Sequence, residues 1–339
     1  LQGYKLVVVV VLFSIVVLTV CSMGFFVPRA NSWATKVTQI DKLHELGLDG
    51  SGVTIGVVDT GCDIGHPEFD AESFVAWKDL VKGVPGFYDD DDHGTHVAGV
   101  LVSKSSFHGL LSGVHLQGIA MGVRLVVVKA IPRNHYLFGG VNDSIVAEGI
   151  KFCIDEGVDV ILLSLGRNPE DVDFGDKSET SEMIRKALRE GVFVVAPAGD
   201  DGQDDDGDVC FPAVIDGVIS VGSVSKGCIV SSFSSKGHQY PDTSDPNKKP
   251  ELVAPGEGIM STRINGAYGE FSGTSLAAAY VAGVIALLLD AYPEYKHDGL
   301  RNQNESTILF FKEMFAKTAK KIGSLKDGVE FSHDDFYGY

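Results

Sequence analysis

Basic residues are scarce in this chain: 28 Lys and Arg stand against 46 Asp and Glu, a formal net charge of −18. Nucleic-acid binding needs a basic surface to neutralise phosphates, so that partner is excluded. The balance suits basic partners or basic substrates instead. Cysteine is also sparse, with only Cys21, Cys62, Cys153, Cys210 and Cys228. The number is odd and the spacing fits no zinc motif, which removes a disulfide framework and a zinc centre as organising devices. Buried, reduced thiols are expected, with a single Cys210–Cys228 bridge as the alternative. No repeat of fixed period runs through the chain, which leaves out the repeat architectures.

What is present is apolar and rich in turns. Hydrophobic residues make up 44% of the 339 residues, enough for a substantial core, and 40 glycines point to many tight turns rather than a helical bundle. Leu6 to Val27, "LVVVVVLFSIVVLTVCSMGFFV", carries no charge and is long enough to cross a bilayer as a helix. Lys5 and Arg29 flank it evenly, so charge gives no orientation. Residues 1–30 are therefore expected to be a transmembrane anchor or a signal segment. Residues 31–339 are expected to form one catalytic domain, cut short at its C-terminal end.

That domain alternates in period. Apolar, β-branched runs at 52–61, 124–131, 158–166, 191–199 and 217–224 read as buried parallel strands. Helical patterns separate some of them. Residues 141–157 have Asp143 or Ser144 as N-cap candidates, and residues 178–191 end on a glycine. The alternation implies βαβ units, hence a parallel sheet with helices on both faces.

Three stretches carry candidate chemistry. "VVDTGCDIGHPEF" (57–69) puts Asp59 at the carboxyl end of a strand, where sites in open α/β sheets lie. "DDHGTHVAGV" (91–100) opens an apolar helix with His93, and "SGTSLAAAYVAG" (272–283) opens another with Ser275. A serine hydroxyl needs a base to become a nucleophile. A histidine supplies one near neutral pH, and a buried carboxylate fixes its tautomer. A serine at a helix N-terminus also sits beside N–H groups able to bind an oxyanion. Each stretch alone is an ordinary turn or cap; the three together, in the order Asp, His, Ser, are not.

These three blocks resemble the signatures of the subtilisin-like serine proteases, over roughly Trp33 to Tyr339. The resemblance implies a three-layer α/β fold around a mostly parallel, seven-stranded sheet. It implies a serine endopeptidase acting on proteins or peptides through Asp59, His93 and Ser275. No cofactor is required for that chemistry, and structural calcium is the one ion expected. "LLSLG" (162–166) is similar to the family's substrate-pairing strand, which assigns Ser164, Leu165 and Gly166 to substrate backbone. The chain departs from the family in "VVAPAGDDG" (194–202). Asp200 stands where an asparagine amide usually donates to the oxyanion. Removing such a donor costs about 10²–10³ in rate, a figure from subtilisin itself. Some proprotein convertases carry Asp here and remain proteases. A protonated Asp200 would donate, which implies a working enzyme with an acid-shifted optimum. An unshifted enzyme, or a membrane-tethered binding protein with an impaired oxyanion site, is the alternative. The family's inhibitory pro-domain is expected to be absent or to lie before Leu1, and Ala279 replaces a family proline.

Two acidic runs complete the reading, 89–92 and 200–208. The first leads into His93. The second places Asp201 at the mouth of the expected side-chain pocket and Asp206 or Asp208 near its base. Carboxylates there favour Lys or Arg in the substrate; the same loops suit calcium. Two Asn-x-Ser triplets begin at Asn142 and Asn304.

Overall fold

The computed structural model describes residues 27–133, 142–167, 178–203, 209–237, 248–298, 304–322 and 333–339. The apolar segment, apart from Val27, and Asp206 and Asp208 lie outside them. Seven strands form one parallel sheet: β1 (Thr54–Asp59), β2 (Phe74–Asp79), β3 (Arg124–Lys129), β4 (Val160–Leu163), β5 (Phe193–Pro197), β6 (Ile219–Val224) and β7 (Leu252–Pro255). Their order is β2-β3-β1-β4-β5-β6-β7. The Val- and Ile-rich runs form the central strands because both faces are covered, and β1, β4, β5 and β6 are buried throughout.

The chain crosses β1 in passing from β3 to β4, so the sheet reverses direction of growth there. Ligands gather at the carboxyl ends of strands at such a point. Register aligns these ends: Asp59 faces Lys129 of β3, and Val58 faces Leu163 of β4.

Around the sheet lie α1 (Ser32–Thr38), α2 (Ile40–Glu45), α3 (His93–Val102), α4 (Phe107–Leu111), α5 (Asp143–Asp155), α6 (Glu179–Arg189), α7 (Thr274–Ala291) and α8 (Glu305–Thr318). A separate antiparallel pair, β8 (Ile259–Arg263) and β9 (Ala267–Phe271), precedes α7. Among the described residues α7 is the one helix long and apolar enough to cross a membrane, but 78% of it is buried inside the protein. Its small residues permit close packing: a Cβ on Gly283 would lie 2.6 Å from Ile119 Cγ2. Leu287 and Leu289 are fully buried, and each such side chain contributes about 1.5–3 kcal/mol.

Several expectations are corrected. The cap of α5 is Asn142, one residue before the candidates, and its side chain accepts from Ser144 N–H. Asn304 caps α8 in the same way. Both Asn-x-Ser triplets thus encode helix starts, where an Asn oxygen satisfies an orphan N–H. Cys210 and Cys228 are not joined.

Candidate active site

Asp59 ends β1 with no exposed surface. Its Oδ1 accepts from Thr60 N–H at 2.6 Å and from His93 Nδ1–H at 2.8 Å. Oδ2 is buried without a partner. The proton thus sits on Nδ1, and Nε2 is turned to the other side of the ring. The close approach depends on Gly94, where a Cβ would fall 2.1 Å from Gly61 O and 3.1 Å from Asp59 Oδ1. Burial works against a charged His93, but the charge and hydrogen bond of Asp59, with Asp91 and Asp89 adding, outweigh it and push the imidazole up to about 9.

The acidic run ahead of His93 is largely matched to internal donors. Asp89 accepts from Thr60 Oγ1 at 3.0 Å, Thr95 N–H at 3.0 Å and Thr95 Oγ1 at 2.6 Å, fixing the first turn of α3. Asp90 accepts from Lys82 Nζ at 2.8 Å and from the wholly buried Lys129 Nζ at 2.7 Å. Asp92 accepts from Arg263 Nη2 at 2.6 Å and Ile264 N–H at 2.8 Å. Among the described residues, none donates to the side chain of Asp91. Among the described residues no three acidic, thiol or imidazole side chains converge as a metal cage. Asp89, Asp90 and Asp92 are thus engaged by ammonium, guanidinium, hydroxyl and amide groups.

Ser275 is the second residue of α7, half-buried. No hydrogen bond joins its hydroxyl to His93; catalytic contacts of this kind often tighten only with substrate bound. The turn after β5 is tied to this helix. Thr274 donates to Asp200 Oδ1 through its N–H at 2.8 Å and its hydroxyl at 2.9 Å, and accepts from Gly199 N–H at 3.2 Å. Burial raises Asp200 above the ordinary carboxylate range; the Thr274 bonds and His93 pull it down without cancelling the rise, and Asp201 adds to it. Asp201 is half-buried, and Ser235 Oγ donates to it. Ser164 is buried, Leu165 half-buried and Gly166 exposed, just beyond β4. The chain there is anchored by Ser164 N–H to Val58 O and by Arg167 paired with Phe211.

Sequence reasoning missed His96 and Arg263. His96 lies one turn after His93, is completely buried, and donates through Nε2 to Gly269 O at 3.1 Å. Its ring stacks on Phe271 at 4.4 Å and 6°. Burial holds it down to about 4, so it is neutral across the working range. The signal was present in "HGTH": two histidines three apart share one helix face. Nothing local marks Arg263, whose partner is 171 residues away.

A sheet reversal carrying a carboxylate–imidazole pair, with a serine at a neighbouring helix start, defines a serine-dependent hydrolase built on a parallel sheet. Residues 50–339 match the Subtilase family. The chain is 34% identical over 300 residues to the major intracellular serine protease of Bacillus subtilis (strain 168), covering 84% of this chain and 81% of that protein. It is 35% identical over 244 residues to an intracellular serine protease of Paenibacillus polymyxa, covering 70% and 67%. It is 31% identical over 276 residues to a subtilisin of Bacillus pumilus, covering 80% and 90%. This chain belongs to the subtilase family and is a subtilisin-like serine endopeptidase.

Proposed function

We propose that Ser275 attacks the peptide carbonyl, that His93 Nε2 takes the hydroxyl proton and returns it to the leaving amine, and that Asp59 fixes the tautomer. The 2.8 Å bond from His93 Nδ1–H to Asp59 Oδ1 is the observation that carries this reading. The acyl-enzyme formed on Ser275 is then hydrolysed by water activated in the same way. The oxyanion meets the Ser275 N–H and the Oδ2 edge of Asp200. The extended Ser164–Gly166 segment offers its backbone to the substrate strand. A fluorophosphonate probe should label the wild type and fail on Ser275→Ala; labelling retained by Ser275→Ala would remove the serine from its role.

Substrate choice follows from what the acidic runs have left over. Asp91 is the carboxylate of the run beside His93 without a donor among the described residues, so it selects Lys or Arg at the residue preceding the one at the scissile bond. Peptides differing only in Arg versus Leu there should separate by about tenfold in kcat/KM, and Asp91→Asn should abolish the difference. Equal rates for the two peptides would dismiss the preference. Leu6–Val27 anchors the domain to a membrane or directs it there, on the strength of its uncharged length. Retention of the full chain in an alkali-washed membrane pellet tests the anchor.

A further inference from the structure

His93 follows Asp92, whose backbone lies at φ 92°, ψ −29°. Residues with a Cβ avoid this region. Such a conformation costs about 1–3 kcal/mol and persists only where its surroundings hold it. Here three donors hold both carboxylate oxygens. Arg263 Nη2 and Nε reach Oδ2 at 2.6 and 3.2 Å, and Ile264 N–H reaches Oδ1 at 2.8 Å. The Arg263 guanidinium also lies 5.4 Å from the centre of the Phe271 ring. Phe271 stacks on His96, which returns the path to α3.

The path is closed: Asp92, Arg263, Phe271, His96, and back along one turn of helix to His93. Arg263 ends β8 and Phe271 ends β9, four residues before Ser275. Further bonds follow the same line, from Ser261 Oγ to His96 O at 2.9 Å and from Thr262 Oγ1 to Thr95 O at 2.8 Å. The helix that bears His93 is thereby clamped to the hairpin that runs into Ser275.

We propose that Arg263 is a positioning residue for peptide hydrolysis: its guanidinium holds the Asp92 backbone that aims His93, ties it to the segment entering Ser275, and cancels the Asp92 charge beside the imidazole. The proposal rests on the roles given above to His93 and Ser275. Among the described residues, Asp59 from β1 and Asp91 and Asp89 from the preceding loop act on the His93 imidazole, His93 acts in turn on His96 of α3 and Asp200 of the turn after β5, and Arg263 from β8 acts on His96; Asp92 directly precedes His93. Arg263 is the permanent cation of this set.

Arg263→Met keeps the aliphatic stem on Phe271 and removes the charge. It should lower kcat about tenfold with KM within about twofold, and slow fluorophosphonate labelling of Ser275 in parallel. The acid limb of its kcat/KM profile should move up by about half a pH unit, because Asp92 then stabilises the imidazolium unopposed. Arg263→Lys should keep the limb in place while still losing rate, since a point charge cannot make the forked contact. Adding Asp92→Asn to Arg263→Met should return the limb to its wild-type position. Asp92→Gly adopts the same φ without strain, so Arg263→Met in that background should cost little further kcat. This cycle stands even if Arg263→Met alone folds poorly. Additive losses in the cycle, a loss confined to KM, or an unmoved limb in Arg263→Met would overturn the proposal. Absent labelling of the wild type, or hydrolysis by Ser275→Ala, would instead overturn the assignment of Ser275 and His93.

Discussion

Thr274 holds Asp200 through two hydrogen bonds to one oxygen, Oδ1, from its N–H at 2.8 Å and its hydroxyl at 2.9 Å. The carboxylate therefore caps the start of α7 from a distance of 74 residues. A helix N-terminus favours an anion, while burial and Asp201 favour the proton, and burial is the larger influence. The oxygen not engaged by Thr274 is the one able to carry that proton toward an oxyanion.

Asp200→Asn should accordingly be faster than the wild type at neutral pH. The amide keeps an oxygen for Thr274 and offers a donor that never ionises. We expect kcat/KM to rise by about tenfold at pH 7 and to converge with the wild type at acid pH, where the carboxyl is protonated. Paired pH–rate profiles on one peptide measure this. An Asn variant no faster at neutral pH removes Asp200 from the oxyanion site.

His93 makes the opposite demand. A general base must be neutral, so kcat/KM of the free enzyme should climb with pH through about 9, where His93 loses its proton. This opposes the acid-shifted optimum that Asp200 alone implies, and in Asp200→Asn the acid limb set by His93 should survive while the alkaline fall set by Asp200 disappears. The same shift is a stability statement. The folded pKa lies above the unfolded value of about 6.5, so protonated His93 stabilises the fold fully below that pH. The contribution fades as pH rises through about 9. Denaturant titrations of the wild type and His93→Gln should differ most at pH 6 and least above pH 10. A constant gap would show that the Asp59–His93 pair is not the cause.

Much of this was legible in sequence because the signals were local. The Val-rich runs of β1, β3, β4, β5 and β6 are buried on both faces, which leaves an unbroken apolar stretch. Asp59, His93 and Ser275 each sit where such an element begins or ends. β2 was missed because it is an edge strand, with Trp77 and Lys78 half-exposed in place of a continuous apolar run. β7 is only four residues long, LVAP, and the strands of the β8–β9 hairpin are short and carry polar residues. The partners of the run at 89–92 were not legible for another reason: composition shows carboxylates but not what they bind, and Lys129 and Arg263 are 39 and 171 residues distant.

Lys129 supplies a third prediction. Its ammonium is fully buried at the end of β3, opposite Asp59, and donates to Asp90, to Thr60 O and to Ile131 O. It thus braces the carbonyl next to the catalytic carboxylate. Breaking a buried pair from one side typically costs about 3–5 kcal/mol. Lys129→Met should approach the lower end, because Asp90 is partly exposed and keeps Lys82. Asp90→Asn should cost less than Lys129→Met, since the two carbonyls continue to accept from the ammonium. Denaturant midpoints of both variants measure the difference, and the reverse order would show that Asp90, not the carbonyls, is the main partner.

Gly94 places the tightest steric limit on the site. A Cβ there would meet two groups with no room to retreat: Gly61 O at 2.1 Å, and Asp59 Oδ1 at 3.1 Å. Gly61 lies in a turn at φ 113°, held against the neighbouring loop by the Cys62 N–H donating to Tyr88 O at 3.1 Å. Gly94→Ala must therefore push the start of α3 outward and lengthen the bond between His93 and Asp59. A displacement near 1 Å costs about 10² in rate, and overpacking costs about 1–3 kcal/mol. Gly113→Ala is the contrast, since unlike Gly94 it has positive φ, at 75°, but its Cβ would meet nothing within 4 Å. It should lose about 1 kcal/mol of stability from backbone strain alone and keep full kcat. Rates and denaturant midpoints of the two variants, measured side by side, separate strain from displacement. If Gly94→Ala retains wild-type kcat, the contact between Asp59 and the first turn of α3 does not set the geometry of catalysis.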